Sequence, residues 1–245
     1  TQLTYYDDNG NRKNLTLSEN LDIILNGVAY PEFANLESAL VGVTDENGNS
    51  SGFDTLRLID STGDDTYEVA MLIECQDVVT DMVNAEAKMF IDKRTGTVFD
   101  YDLPDMTVRI VKPDGTEGTF SDITADMIVS VADSHTDGVN FTTLYLSNNI
   151  ISAAITVHNA DGTCTINDTT YYLDDVLKKD VVLGQTQRIY INQFGRIVYI
   201  GAVSDGKYRI GILAGMAVGG VFNPEAEIKV YSTEGFTVYQ LNEEI

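Results

Sequence analysis

The stretch Asp60-Ser-Thr-Gly-Asp64-Asp65-Thr-Tyr-Glu68 holds four acidic residues in nine positions, the most chemically loaded short segment of the 245-residue chain. Carboxylates placed so close together are oxygen ligands for a hard divalent cation. They name no reaction by themselves. The flanking residues indicate how they would be positioned. Leu56 and Leu58 alternate with Thr55 and Arg57, and Tyr67, Val69, Met71 and Ile73 alternate with Glu68, Ala70 and Leu72. That period of two marks a half-buried hairpin, with the acids on its turn.

Other reactive residue types carry less. Gly48-Asn-Ser50-Ser-Gly52 matches the nucleophile-elbow string G-x-S-x-G, but that motif needs a strand before the serine and a helix after it. Here a polar loop precedes and a strand follows, so Ser50 is not read as a nucleophile. His135 and His158 lie beside Asp and turn residues without a second histidine at metal-ligand spacing, which makes them surface loop histidines. Thirty-eight Asp and Glu offer many carboxylate pairs of the kind glycoside hydrolysis uses, and sequence does not show which reach the required separation. Tyr171, Tyr172, Tyr190 and Tyr199 suit strands, where cross-strand packing competes with an exposed sugar-stacking face. P-loop, dinucleotide and zinc-cluster patterns do not occur in the sequence.

Fifteen Lys and Arg against thirty-eight Asp and Glu give a net charge of -23. Such a surface repels nucleic-acid phosphates and anionic lipid headgroups, so neither is an expected partner. Solubility, attraction of divalent cations and docking to a basic partner are the readings that remain. A hydrophobic fraction of 43% and aromatics at 9% describe an ordinary globular composition. No apolar run is long enough for a membrane helix, so no membrane insertion is expected within this stretch. Two cysteines, Cys75 and Cys164, lack zinc or redox spacing. Cys75 continues the alternating face of Tyr67 to Ile73, which predicts a buried free thiol, with a disulfide left open. The start at Thr1, without an initiator Met or signal-like segment, reads as a processed or excised piece of a larger protein.

The order of short alternating segments predicts an all-β protein of two or three small barrel-like or sandwich modules built from repeated hairpins. Strands are expected at 3–6, 13–17, 22–25, 55–59, 67–73, 78–84, 87–92, 97–103, 107–112, 127–132, 141–146 and 150–157. Further strands fall at 163–166, 170–173, 188–192, 196–203, 208–214, 227–231 and 236–241. One short helix is expected over Glu32 to Leu40, where Phe33, Leu36 and Leu40 recur at helical spacing. Pro104 suggests the first boundary, giving modules 1–104, 105–174 and 175–245, the last two able to merge. Three stretches share an aromatic-aliphatic strand, a polar turn and an aliphatic strand: Lys88 to Val98, Thr143 to Ile151 and Arg188 to Ile197. They read as an internal repeat of hairpins, although common turn chemistry alone gives hairpins a family likeness.

Several phrases taken together resemble a family of β-rich segments found in surface proteins of Gram-positive bacteria that also carry S-layer homology modules. The phrases are Ile24-Leu-Asn26-Gly27, Thr55 to Asp60 with its Asp/Gly turn, Asp122 to Val131, Leu183-Gly184, and Tyr190 to Val198. The resemblance implies an extracellular, cell-wall-associated setting and carries over no catalytic residue. Members of that family often read D-x-D-G-D-G-x-x-D at the central turn, like a calcium loop. Asp60, Gly63 and Asp64 keep that pattern, while Thr62, Asp65 and Glu68 replace its second Asp, second Gly and last Asp.

Calcium takes about six to eight oxygens. The turn would offer Asp60, Thr62, Asp64 and Glu68 as metal ligands, with the Thr66 carbonyl. The closing Glu of an EF-hand would fall at Met71, so an EF-hand is excluded and a plain acidic turn stays open beside weak calcium binding. The functional expectation is a non-catalytic structural or interaction segment of a larger secreted or cell-surface bacterial protein, its partner the cell wall or a neighbouring surface protein. The alternative is a carbohydrate-binding accessory domain or a glycosidase-type enzyme using an Asp/Glu pair.

Overall fold

The computed structural model describes residues 2–6, 11–30, 36, 53–134, 136, 138–159, 162–173, 175–203, 212–217, 226–232 and 235–241. The protein is all-β, with two short 3₁₀ turns among the described residues, at Phe120–Asp122 and Asp175–Asp180. The helix expected over Glu32 to Leu40 falls, apart from the buried Leu36, outside the described residues. So does the Gly48 to Gly52 string.

Strands β1 (Gln2–Tyr6), β2 (Arg12–Leu25), β3 (Val28–Ala29), β4 (Thr55–Ile59) and β5 (Thr66–Ile73) make a first sheet in the order β1-β2-β5-β4, with β3 on β2. Lys13 to Leu17 and Asp22 to Leu25, expected as two strands, are parts of the single β2. Its parallel pairing with β5 shifts register between Leu17 and Asp22. The face of β5 that is fully buried is the opposite of the one the alternation singled out: Ala70 and Leu72 enter one core with Leu17, Ile23, Leu25, Tyr30 and Leu36, while Val69, Met71 and Ile73 are half-buried.

A second sheet takes β6 (Gln76–Asn84), β7 (Met89–Asp92), β8 (Val98–Asp100), β9 (Thr107–Val111), β10 (Ile128–Asp133) and β11 (Phe141–Ser147), in the order β8-β7-β6-β10-β11-β9. It draws strands from both sides of Pro104. Val78, Phe90, Val129, Val131, Leu144 and Leu146 are among the residues that fill its core. Then β12 (Asn149–His158), β13 (Thr163–Ile166), β14 (Thr169–Leu173), β15 (Thr186–Ile191) and β16 (Arg196–Val203) close into a five-stranded barrel, which leaves no open sheet edge. Asn167 and Asp168, both at positive φ, form the two-residue turn between β13 and β14, a geometry that Asn and Asp tolerate.

The internal repeat is corrected by this topology. Lys88 to Val98 does span a hairpin, β7 with β8. Thr143 to Ile151 does not, because β11 belongs to the second sheet and β12 to the barrel. Only Asn148 separates them, too little chain to reverse direction, and Ser147 Oγ donates to the Ile191 carbonyl at 2.7 Å on the barrel side.

Sheets and barrel belong to one compact unit, Thr1–Ala202. Val79 and Ile128 of the second sheet form a common buried cluster with Tyr190 and Val198 of the barrel. The remaining unit, Val203–Ile245, contains β17 (Ile212–Ala217), β18 (Ala226–Ser232) and β19 (Gly235–Leu241), an antiparallel meander in that order.

Gly27 is needed twice over. Its φ is +85°, and a Cβ there would stand 3.1 Å from the Phe141 ring. Gly27→Ala should therefore destabilise the protein by about 1–2 kcal/mol. A urea titration reads this as a lower midpoint at unchanged slope, and an unshifted midpoint would refute it.

Candidate functional site

The β4–β5 turn brings together three of the four predicted metal ligands. Asp60, Asp64 and Glu68 each present a carboxylate oxygen within 4.8 Å of the others. Thr62 joins them, its hydroxyl 3.1 Å from Glu68 Oε1 and 3.4 Å from Asp60 Oδ1. The turn forms because Asp60 organises it. Asp60 Oδ1 accepts the amides of Thr62 and Gly63 at 3.1 and 2.6 Å, and Oδ2 accepts that of Asp65 at 2.9 Å. Gly63 and Asp65 adopt the positive φ that this wrapping requires.

Glu68 reaches back across the hairpin, accepting the Ser61 amide at 2.7 Å and the Ser61 hydroxyl at 2.8 Å. The Gly63 amide above all holds the Asp60 carboxyl below the usual carboxylate range, and the Ser61 amide does the same for Glu68. The three carboxylates are a cluster able to hold a cation, with several of their lone pairs already engaged by the turn.

A second constellation, missed in the sequence reading, lies where the first sheet, the second sheet and the barrel meet. Asp77, on β6, accepts the Ser130 hydroxyl of β10 at 2.5 Å and both its oxygens face Asn192 Nδ2 at 3.2 Å. Asn192 in turn accepts the amides of Phe194 and Arg196 at 3.0 and 2.9 Å, so one side chain shapes the β15–β16 turn and also meets the carboxylate. Arg94 donates to the carbonyls of Asp77 and Val198, bracing the second sheet against the barrel. Its own head group stands 3.5 Å from Asp92.

Beside this lies Asp54, its side chain 1% exposed. Asp54 Oδ2 accepts the Cys75 amide at 2.8 Å. Arg196 Nη2 is 3.1 Å from Oδ1, yet the same nitrogen donates to the Phe53 carbonyl at 3.2 Å. Oδ1 has an ionic neighbour but no aligned hydrogen bond. Burial consequently outweighs Arg196, and the Asp54 carboxyl is pushed up to about 6, with Asp77 also contributing. Burial pushes Asp77 up as well, against the hydrogen bonds of Ser130 and Asn192.

Cys75 and Cys164 are free and buried. Burial raises both thiols, which keeps them protonated and unreactive. His158 faces Cys164 across β12 and β13, and His135 lies outside the described residues. Among the tyrosines, Tyr190 is buried and meets Tyr199 edge to face at 5.1 Å, while Tyr172 is 67% exposed. Packing, for that first pair, is the role that the strands give them.

Scans against family models, curated proteins and solved structures each returned no match for this chain. The reading of the site therefore rests on its own chemistry. The signal that could have revealed the Asp77 network was weak: Asp77 stands directly before the apolar pair Val78-Val79, and Asn192 opens the Asn-Gln-Phe-Gly turn.

Two outcomes follow from the network. Ser130→Ala removes a donor to a buried carboxylate and should cost about 1.5–3 kcal/mol in urea unfolding; a midpoint within error of the parent would contradict the role assigned to Asp77. For Asp54 the folded value lies above the unfolded 3.8. The folded chain takes up a proton first as pH falls, so stability should rise from pH 7 down to about 4, by an amount on the order of 2–3 kcal/mol. Asp60 and Glu68 act in the opposite sense: their contribution begins to fall as pH drops past the unfolded values of 3.8 and 4.5 and is gone once pH has fallen through the folded ones. Asp54→Asn should flatten the rise in melting temperature between pH 7 and 5, and an unchanged profile would exclude Asp54 as its source.

Proposed function

We propose that this chain is a non-catalytic structural or interaction segment of a larger secreted or cell-surface bacterial protein. The observation that carries the reading is how the charged groups at the junction are used. Asp77 is spent on Ser130 and Asn192, Arg94 on two carbonyls, and Asp54 on the Cys75 amide and Arg196. These groups brace sheets against a barrel. Asp54 has the raised carboxyl that a glycosidase acid needs, but a side chain 1% exposed cannot reach a glycosidic oxygen. The net charge of -23 and the likeness of the Asn26-Gly27, Asp60 and Asn192 to Gly195 phrases to wall-associated segments support an extracellular setting.

Incubated with bacterial cell-wall and plant polysaccharides, the purified chain should release no reducing sugar. Release that disappears on substituting one carboxylate would overturn the reading. Flanking S-layer homology modules or a wall anchor in the parent reading frame would support it, and an adjoining hydrolase domain would favour an accessory role in carbohydrate processing.

Within this reading the acidic turn binds calcium, through Asp60, Thr62, Asp64 and Glu68, as a stabilising ion. A ligand that binds only the folded state raises stability, by about 1.4 kcal/mol at tenfold excess over its dissociation constant. Melting temperature should rise in millimolar calcium and lose that rise in Asp60→Ala with Asp64→Ala. Equal shifts in parent and variant would assign the effect to diffuse screening.

A further inference from the structure

An open cleft of about 400 Å³ lies at one end of the second sheet, lined among others by Phe99, Asp100, Tyr101, Met106, Asp133 and Phe141. That volume is within the range of small-molecule sites. The chain builds the cleft from four places: β8 supplies Phe99 and Asp100, the segment leading to β9 supplies Tyr101 and Met106, β10 ends in Asp133, and β11 begins with Phe141.

Its walls are held by packing and hydrogen bonds within the chain. Phe99 stacks on Phe90 at 5.3 Å, Tyr101 tilts against Phe90 at 5.7 Å, and Phe120 backs Tyr101 at 6.0 Å. Asp133 Oδ1 accepts the Thr142 hydroxyl at 2.5 Å, and the Asp133 carbonyl accepts Asn26 Nδ2 at 2.7 Å. The Phe141 ring is seated over Gly27.

We propose that this cleft binds an alkylammonium group, with the aromatic and methionine surfaces receiving its methyl or methylene shell and the Asp100 and Asp133 carboxylates receiving its charge. Aromatic faces are negative and attract cations. Sulfur and ring carbons favour the apolar shell that a spread-out cation carries. No lysine or arginine is among the described residues that line the cleft, so no lining side chain repels a cation. Asp133 Oδ1 and Asp100 Oδ1 each accept one donor, the Thr142 hydroxyl and the Asp102 amide, and each carboxylate keeps its second oxygen for a ligand. Burial, and after it the nearby Asp133 charge, raises the Tyr101 phenol, so Asp133 stands close enough to act on the inner wall. The site is separate from the acidic turn and stands whether or not the chain belongs to a cell-surface protein.

The group has two sources, a free quaternary amine or a lysine side chain of a partner, and the test separates them. The full isotope-labelled chain is titrated with choline in one arm and Nα-acetyl-lysine N-methylamide in the other, with glucose and sodium chloride as controls. Saturable resonance shifts at Phe99, Tyr101, Met106 and Asp133 are expected in at least one arm, the stronger arm naming the source. Asp100→Asn with Asp133→Asn should weaken binding about tenfold, with circular dichroism unchanged. If that double variant loses its β spectrum, the exposed Asp100→Asn alone should still weaken binding. Shifts that match sodium chloride, saturation by glucose at the same residues with equal affinity, saturation elsewhere, or undiminished binding by the folded variants would each overturn the proposal.

Discussion

Burying a carboxylate costs several kcal/mol unless donors replace the water it loses, and Asp77 of β6 is such a carboxylate. Its donors come from β10 and from the β15–β16 turn. The second sheet and the barrel must therefore meet at one register for the charge to be tolerated. The apolar contact of Val79 and Ile128 with Tyr190 and Val198 supplies area without direction, whereas the Asp77 hydrogen bonds supply direction. Arg94 and Asn192 extend the same constraint along the junction, and Asn26 repeats the device between the first and second sheets by bonding Glu74 and the Asp133 carbonyl.

This division of labour explains which features were legible in the sequence. Alternation of apolar and polar residues is local, so β4, β5, β10, β13 and β16 could be read almost residue by residue. Turns carried by Asn26-Gly27 and by Asp60 to Asp65 were equally local, since Asn, Asp and Gly are the residues that accept positive φ. The acidic turn was thus legible both as a turn and as a cluster. The Asp77 network was not, because its partners lie 53 and 115 residues away. The Thr143 to Ile151 stretch misled for a related reason: its pattern of strand, polar residue and strand is the same whether the two strands pair or part to different sheets, and only the long-range partners of β11 and β12 decide.

The two exterior features differ in the same way. At the acidic turn the carboxylates spend much of their capacity on their own backbone, which suits a stabilising ion better than a reaction. At the cleft, Phe99, Tyr101 and Phe141 are fixed by packing, and the carboxylates of Asp100 and Asp133 stand at its wall. On the proposed reading as a structural or interaction segment, recognition would fall to the loops and sheet ends, away from the hydrogen-bonded junctions.

The claim that polar side chains at the junction bind sheet and barrel into one cooperative body is tested most directly by native-state hydrogen exchange in Asn192→Ala. Losing the Asn192 amide should lower protection together in β6 and β10 of the second sheet and in β15 and β16 of the barrel. If only the barrel amides exchanged faster, leaving the second sheet at its original protection, the two would be independent bodies and the account would be wrong.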